Sequence, residues 1–234
     1  MFHSFAPTET QNFNQKSPQN GGEENNGKER LTVKPGLNSL SNAVKEAKEA
    51  GITSIFLENG THDENGNVVV IDFPLTITGK SREHCIVMGG LEMDGNEEDD
   101  VNVSNLTLHG SKYTGVSGNS ASMHLDNVSV ENSGVNGVYV DGTKRNTMKN
   151  CNVSHSKWSG LRVENGGVMT ISGKDTTIHH NCIHGHGYGL YTYNSSSSIH
   201  LVSPLTKEMI STNNHGGKNY GSDGTIQTIT KTKE

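Results

Sequence analysis

One pattern recurs in four segments of the chain: NLTLHGSKYTGVS (105–117), NVSVENSGVNGVYV (127–140), NCNVSHSKWSGLRV (150–163) and HHNCIHGHGYGLYTY (179–193). Each segment has a glycine ten residues after its first residue, and valine or leucine follows that glycine at once. The segments begin 22, 23 and 29 residues apart, and we assign the longest step to an enlarged loop around VMTISGKDTT (168–177). Such spacing predicts a repeat protein in which each repeat packs on its neighbours. The four repeat glycines are Gly115, Gly137, Gly160 and Gly189.

Apolar and polar residues alternate on both sides of the repeat glycines. Leu106 and Leu108 precede one glycine, and Val138 and Val140 follow the next. Alternation at a period of two is typical of strands with one buried face. A third short strand precedes each repeat, at Val103, Leu125 and Met148. Three strands in a coil of this length predict an all-β fold, a parallel β-helix with right-handed crossovers. Leucine-rich repeats need more leucine, and β-propeller blades need about twice the length.

Two further features extend the repeat. Asparagine opens three of the segments, at Asn105, Asn127 and Asn150, which predicts a ladder of turn residues whose amides bond along the stack. PLTITG (74–79) is similar to NLTLHG (105–110), which indicates that the same coil continues upstream past an insertion through LEMDGNEEDD (91–100).

The N-terminal part of the chain has a different character. Residues 1–30 are rich in Asn, Gln, Glu, Gly and Ser, and this composition predicts a disordered arm. A helix is predicted at about 39–50, where apolar residues follow a helical period, with Ser39 as its N-cap and Gly51 at its end. We expect this helix to cap the open end of a β-helix domain that spans residues 31–234.

Composition limits the possible functions. Hydrophobic residues make up 30% of the chain and glycines number 28, as suits the thin core of a solenoid. The formal net charge of −6 and the absence of a basic cluster predict no nucleic-acid binding. No run approaches the roughly 20 apolar residues of a membrane span, no secretory signal is visible, and the cellular location stays open. The three cysteines have no metal-binding spacing and are expected to be reduced thiols.

The pattern of repeat residues resembles that of a known family. IFLENGTH (55–62) and PLTITG, followed by spaced N-x-x-V and G-[VL] coils, are similar to the right-handed parallel β-helix repeat proteins of the pectin-lyase-like superfamily, over roughly residues 31–230. That family includes pectate and pectin lyases, polygalacturonases, alginate epimerases, phage tailspikes and non-catalytic repeat domains. The resemblance implies the fold strongly and a connection to carbohydrates more weakly.

The repeat also predicts which side chains point outward together. Ser117, Tyr139, Arg162 and Tyr191 stand two residues after the glycines, and Asn119, Asp141, Glu164 and Tyr193 stand four after. Successive coils are about 4.8 Å apart. Sugar faces stack on aromatic rings, so Tyr139, Tyr191 and Tyr193 are candidate ligand-binding residues. Asp141, Glu164 and Arg162 are candidate catalytic residues, because paired carboxylates perform glycosidic acid/base chemistry. The alternative is that these residues only solvate an exposed sheet.

Histidines form a second cluster, at His155, His179, His180, His184 and His186. His155 and His184 both lie five residues after a repeat start, which predicts that they stack. Imidazoles suit zinc or copper, but no helix fixes their geometry here, and we expect neither a metal site nor a cofactor. Gly185-His186-Gly187 matches a tripeptide of polygalacturonases, whereas their other catalytic elements and the Asp-Pro-His of alginate epimerases are missing.

Three functions remain open. The first is a non-catalytic module that binds a glycan or a protein along its exposed sheet. The second is a divergent polysaccharide lyase, glycoside hydrolase or epimerase. The third is a structural component of a virion or surface assembly, in which the N-terminal arm docks on a neighbour.

Overall fold

The computed structural model describes Met1 and residues 30–230, and it is a parallel β-helix. Its strands form three rows, where a row is a set of strands paired in parallel, one coil above another. The strands of the first row are β1 (Leu31–Val33), β3 (Ser54–Leu57), β5 (Leu75–Gly79), β7 (Asp100–Ser104), β10 (Ser122–Asp126), β13 (Asn146–Lys149), β16 (Val168–Ser172), β19 (Ser198–Val202) and β22 (Thr225–Ile229).

The second and third rows share two long strands, β4 (Gly60–Ile71) and β6 (Cys85–Met93), which turn the corner between them. The other strands of the second row are β2 (Gly36–Leu37), β8 (Thr107–Gly110), β11 (Ser129–Glu131), β14 (Asn152–Ser154), β17 (Thr177–His179) and β20 (Ser211–Thr212). Those of the third row are β9 (Val116–Gly118), β12 (Val138–Asp141), β15 (Leu161–Glu164), β18 (Leu190–Thr192) and β21 (Tyr220–Ser222). The predicted three-stranded coil is therefore confirmed.

Inward side chains of the three rows fill one continuous core. Val103, Leu125 and Met148 are in register in the first row, as the repeat predicted, and all three are buried. The three cysteines, Cys85, Cys151 and Cys182, are buried free thiols. Burial raises the pKa of each thiol to about 11.

Glycine recurs at the corner between the second and third rows because neighbouring coils leave no room there for a side chain. A Cβ on Gly137 would lie 2.3 Å from Cγ1 of Val153 and 2.7 Å from the carbonyl oxygen of Gly160. The amide nitrogens of Val116, Val138 and Leu161 donate to the carbonyl oxygens of Gly137, Gly160 and Gly189. These glycines are thus required by close packing, and none of the four has a positive φ.

Asparagine recurs at the turn before the second row because the backbone there is left-handed. Asn105, Asn127 and Asn150 have φ values of 56°, 55° and 52°, a region that asparagine tolerates better than most residues. The amide of Asn127 also donates to Oδ1 of Asn105 at 2.9 Å, which confirms that step of the predicted ladder.

The predicted N-terminal helix is present as α1 (Ser39–Ala50), in the place where later coils have a third-row strand. It buries Leu40, Ala43, Val44 and Ala47, and it ends at Gly51, whose φ is 68°. The prediction that Ser39 caps the helix is wrong, because Asn38 holds the N-cap position without a side-chain bond. The buried Glu64 accepts from the amides of Leu40 and Ser41 instead, at 2.8 and 3.4 Å.

Two predicted alignments are also wrong. The enlarged loop is not around VMTISGKDTT, because VMTIS forms β16. The extra residues lie mainly in the corner that follows β17. Six residues separate Ser154 from Leu161 in one coil, whereas ten separate His179 from Leu190 in the next. PLTITG forms β5 in the first row and pairs with β7, so it is not the equivalent of NLTLHG, which supplies the second-row strand β8. Similar apolar alternation in all three rows makes such an error easy.

The chain ends in an irregular coil with α2 (Lys207–Ile210), a 3-10 helix (His215–Gly217) and the last first-row strand, β22. Most of the predicted N-terminal arm and residues 231–234 lie outside the described residues. Within residues 30–230, no helix has the length and apolar character needed to cross a membrane.

Candidate functional site

The third row presents a continuous outer strip of polar and aromatic side chains. Pairing places Ser117, Tyr139, Arg162 and Tyr191 side by side in successive coils, and it places Asp141 beside Glu164. We call this surface the tyrosine strip; it comprises the outward residues two and four positions after the repeat glycines, namely Ser117, Asn119, Tyr139, Asp141, Arg162, Glu164, Tyr191 and Tyr193. The strands therefore bring the predicted candidates together, while their roles stay a prediction.

Glu164 is the centre of the strip. Its Oε2 accepts from Nε and Nη2 of Arg162, at 2.8 and 2.5 Å, and its Oε1 accepts from the phenol of Tyr139. Only 15% of the Glu164 side chain is exposed. Burial, followed by the neighbouring carboxylate of Glu164, raises the pKa of Tyr139. The phenol therefore remains protonated and donates to a carboxylate that is already bound to a guanidinium.

Tyrosine rings from the C-terminal coils lie beside the guanidinium of Arg162. The guanidinium carbon lies 4.9 Å from the ring centre of Tyr193 and 5.5 Å from that of Tyr191, distances typical of cation–π contacts. The Tyr191 ring is 6.1 Å from Tyr193 and 5.2 Å from Tyr188. Tyr193 is 47% exposed, so part of this aromatic surface is open to a ligand.

An apolar groove continues the tyrosine strip toward the N-terminal coils. Its volume is about 620 Å³, and Tyr139 belongs to both features. The groove is lined by side chains of the third row and of the corner before it, among them Val68, Val70, Tyr113, Val135 and Ser117. Val70 and Tyr113 are half exposed or more, which makes the groove an accessible apolar surface.

Three aromatic residues on this side were not predicted from the sequence. Tyr113 and Trp158 each stand two residues before a repeat glycine, and they are 60% and 42% exposed. Tyr188 lies in the enlarged corner of the coil that contains Gly189. Reading the repeat backward from its glycines would have found the first two. The third depends on an insertion that breaks the period, so no regular spacing indicates it.

The carboxylates of the strip are arranged for hydrogen bonding. Asp141 accepts from the amide of Asn165 at 2.7 Å, and its other oxygen is 3.4 Å from the phenol of Tyr139. Both oxygens of Glu164 are occupied, as described above. General acid/base catalysis needs a carboxyl group that exchanges a proton with the substrate. In the present geometry both carboxylates face the phenol of Tyr139, and Glu164 also binds Arg162.

The histidine cluster lies on another face, along the second row. The ring of His155 stacks on that of His180, with centres 5.4 Å apart and planes at 6°, so the predicted pairing of His155 with His184 is wrong. The cause is the alignment error described above, because His155 is equivalent to His180 in the true register.

His179 joins this stack edge-on. Its Nδ1 is 2.7 Å from Nδ1 of His180, and its Nε2 is 2.9 Å from Oδ1 of Asn152. Burial, followed by the charges of His180 and His155, lowers the pKa of His179. Over the described part of the chain, no group of three or more His, Cys, Asp or Glu side chains is placed to hold a metal ion.

Comparison with known proteins defines the family. The family model described as "Right handed beta helix region" matches residues 89–226. A solved structure, the catalytic domain of a variant GH87 alpha-1,3-glucanase in complex with tetrasaccharides, matches with a TM-score of 0.53 at 13% sequence identity. The match covers 84% of this chain and 39% of that chain. No curated protein sequence matches the chain.

The family match confirms the predicted right-handed parallel β-helix, and the structural match has the same fold. The family match covers more than half of the 234 residues and includes every coil that carries the tyrosine strip. The protein therefore belongs to the right-handed β-helix family.

Proposed function

We propose that the protein binds a glycan along the tyrosine strip and its adjoining groove, without cleaving it. The observation that carries this proposal is the placement of Tyr139, Tyr191 and Tyr193 on one outer row, beside a guanidinium and carboxylates that hold them. Apolar sugar faces stack on such rings, and sugar hydroxyls bond to charged groups at their edges. The tetrasaccharide complex of the structurally similar glucanase is consistent with a glycan ligand for this fold.

The proposed ligand is a chain rather than a single sugar. The outward residues in register with Tyr139 form a column of one residue per coil, which runs from Val70 through Ser117 to Tyr191. At about 4.8 Å per coil, this column is several sugar rings long. A polysaccharide that follows it would meet the apolar groove at one end and the tyrosine rings at the other.

The test is a binding measurement with matched tyrosine variants. Tyr139→Ala and Tyr191→Ala each remove one stacking surface, worth about 1.5 kcal/mol, so glycan affinity should fall about tenfold in each. Tyr220→Ala is the control, because Tyr220 is exposed but lies against Lys207 in the last coil. A glycan array identifies the ligand and calorimetry measures its affinity. Unchanged affinity in both strip variants would exclude the strip as the binding site.

A divergent glycan-cleaving enzyme is the second candidate, and one observation favours it. Asp141 and Glu164 are paired in register on neighbouring strands, and the usual strand spacing of about 4.8 Å is near the separation of about 5 Å that retaining glycosidases use. The occupied oxygens of Glu164 count against it. Incubating the protein with the bound glycan and measuring new reducing ends or unsaturated products decides the question. If product is released, and if Glu164→Gln abolishes that release, the enzymatic function replaces the binding proposal.

A further inference from the structure

Carboxylates lie near the phenol groups of two tyrosines of the strip, Tyr139 and Tyr191. The phenol of Tyr139 is hydrogen-bonded to Glu164 and lies 3.4 Å from Asp141. Asp223, in the turn after β21, is close enough to Tyr191 to raise the pKa of that phenol, after the larger effect of burial. A ligand stacked on these rings therefore has negative charge at their edges.

The guanidinium of Arg162 neutralises Glu164, but its paired-bond edge is not open to a ligand carboxylate. Its Nε and Nη2 atoms, the edge that forms paired bonds with a carboxylate, are bound to Glu164. The rings of Tyr191 and Tyr193 lie 5.5 and 4.9 Å from the guanidinium carbon. A ligand carboxylate would have to displace Glu164 and leave a mostly buried charge without its partner, which is costly.

Lysines border the strip but are turned to other partners. Nζ of Lys218 donates to the carbonyl oxygen of Gly185 at 2.7 Å, and it is 6.0 Å from the ring centre of Tyr188. Nζ of Lys112 donates to Asn67 at 3.4 Å. Glu164 and Asp141 thus lie at the hydroxyl of Tyr139, whereas these ammonium groups bind partners on the corner beside the strip.

We infer that the ligand of the tyrosine strip is an uncharged polysaccharide and not a uronic-acid polymer. The inference rests on the proposed function. Neutral sugars offer hydroxyl donors to Asp141 and to Glu92, whose place in β6 is paired with Ser117 on the same outer face. A hydroxyl that donates to a carboxylate makes a stronger hydrogen bond than one between neutral groups. A uronate polymer would instead bring carboxylates against carboxylates.

The experiment measures binding of the full chain to soluble polymers by affinity electrophoresis and calorimetry. The probes are neutral α- and β-glucans, polygalacturonate and the polycation chitosan, each at about 50 mM and about 500 mM sodium chloride. We expect binding to a neutral glucan with less than about a twofold change between the two salt concentrations, and no binding to polygalacturonate. Preference for polygalacturonate or for chitosan would overturn the inference.

A charge variant gives a second readout. Glu92→Gln combined with Asp141→Asn removes two negative charges while keeping similar shapes, and binding to polygalacturonate should become detectable. Glu46→Gln, on α1, is the matched control and should change nothing. If the unaltered chain binds polygalacturonate and Tyr191→Ala abolishes that binding, the proposed function stands and only the inference is refuted. Failure to bind any polymer would refute both.

Discussion

A methyl group at one repeat glycine should measurably destabilise the whole protein. In Gly137→Ala the new Cβ would lie 2.3 Å from Cγ1 of Val153, 2.7 Å from the carbonyl oxygen of Gly160 and 2.8 Å from Oγ of Ser156. Normal contacts between such atoms exceed 3 Å, and a backbone carbonyl cannot rotate away. The φ of Gly137 is not positive, so the effect comes from contacts and not from an unfavourable backbone conformation.

The expected magnitude is at the upper end of the range for overpacked cores, about 3 kcal/mol. For a chain of this size, 1 kcal/mol corresponds to roughly 2–4 °C, so the melting temperature should fall by about 6–12 °C. Gly36→Ala is the control, since a Cβ at that position has no heavy atom within 4 Å and the φ of Gly36 is not positive. Differential scanning calorimetry of the two variants and the unaltered chain gives the comparison.

Equal melting temperatures for the two variants would refute this reasoning. That result would mean that neighbouring coils can separate by a few tenths of an ångström at no cost, so the stack would be softer than its contacts indicate. A large loss of stability in Gly36→Ala would also contradict the explanation, because contact with a neighbouring coil could not then be its cause.

Three further outcomes are expected. The pKa of His179 is lowered in the folded protein, so folding favours its neutral form. The free energy of unfolding should therefore fall as the pH drops below about 6.5, the pKa of histidine in the unfolded chain. His179→Gln should reduce this fall in thermal melts. Glu64→Ala should cost about 1–2 kcal/mol in urea unfolding, and Glu64→Gln, which keeps a helix-capping oxygen, should cost less. The three buried cysteines, whose pKa values are near 11, should resist alkylation at neutral pH until the protein is unfolded. Rapid labelling of the folded protein would contradict their burial.

The sequence predicts the coil well because its strongest signals have local physical causes. A glycine such as Gly137 is needed wherever two coils approach too closely for a Cβ, and an asparagine such as Asn127 is favoured wherever the backbone is left-handed. Both requirements recur once per coil, so they are visible as a period. The same period predicts that Tyr139, Arg162 and Tyr191 share one surface, and the strand pairing confirms it.

The errors occur where the period is interrupted or where partners come from distant segments. The insertion around Cys182 shifts the repeat by four residues, so the spacing predicts His184 as the partner of His155, whereas the true partner is His180. The helix cap comes from Glu64, 24 residues beyond Leu40, and no local pattern indicates that contact. The contacts of Glu164 likewise depend on side-chain rotamers that a repeat pattern does not specify.

The enlarged corner before Gly189 has a consequence for how such a protein can change. Strand pairing stops after His179 and resumes in register at Leu190, while the buried Cys182 between them still bonds to Trp158 of the preceding coil, so the stack accommodates the added residues. Those residues nevertheless carry Tyr188 to the edge of the exposed aromatic surface. Lengthening or replacing a corner segment should therefore alter what the surface recognises while folding stability stays nearly constant, which makes these corners the natural sites for selecting new ligands.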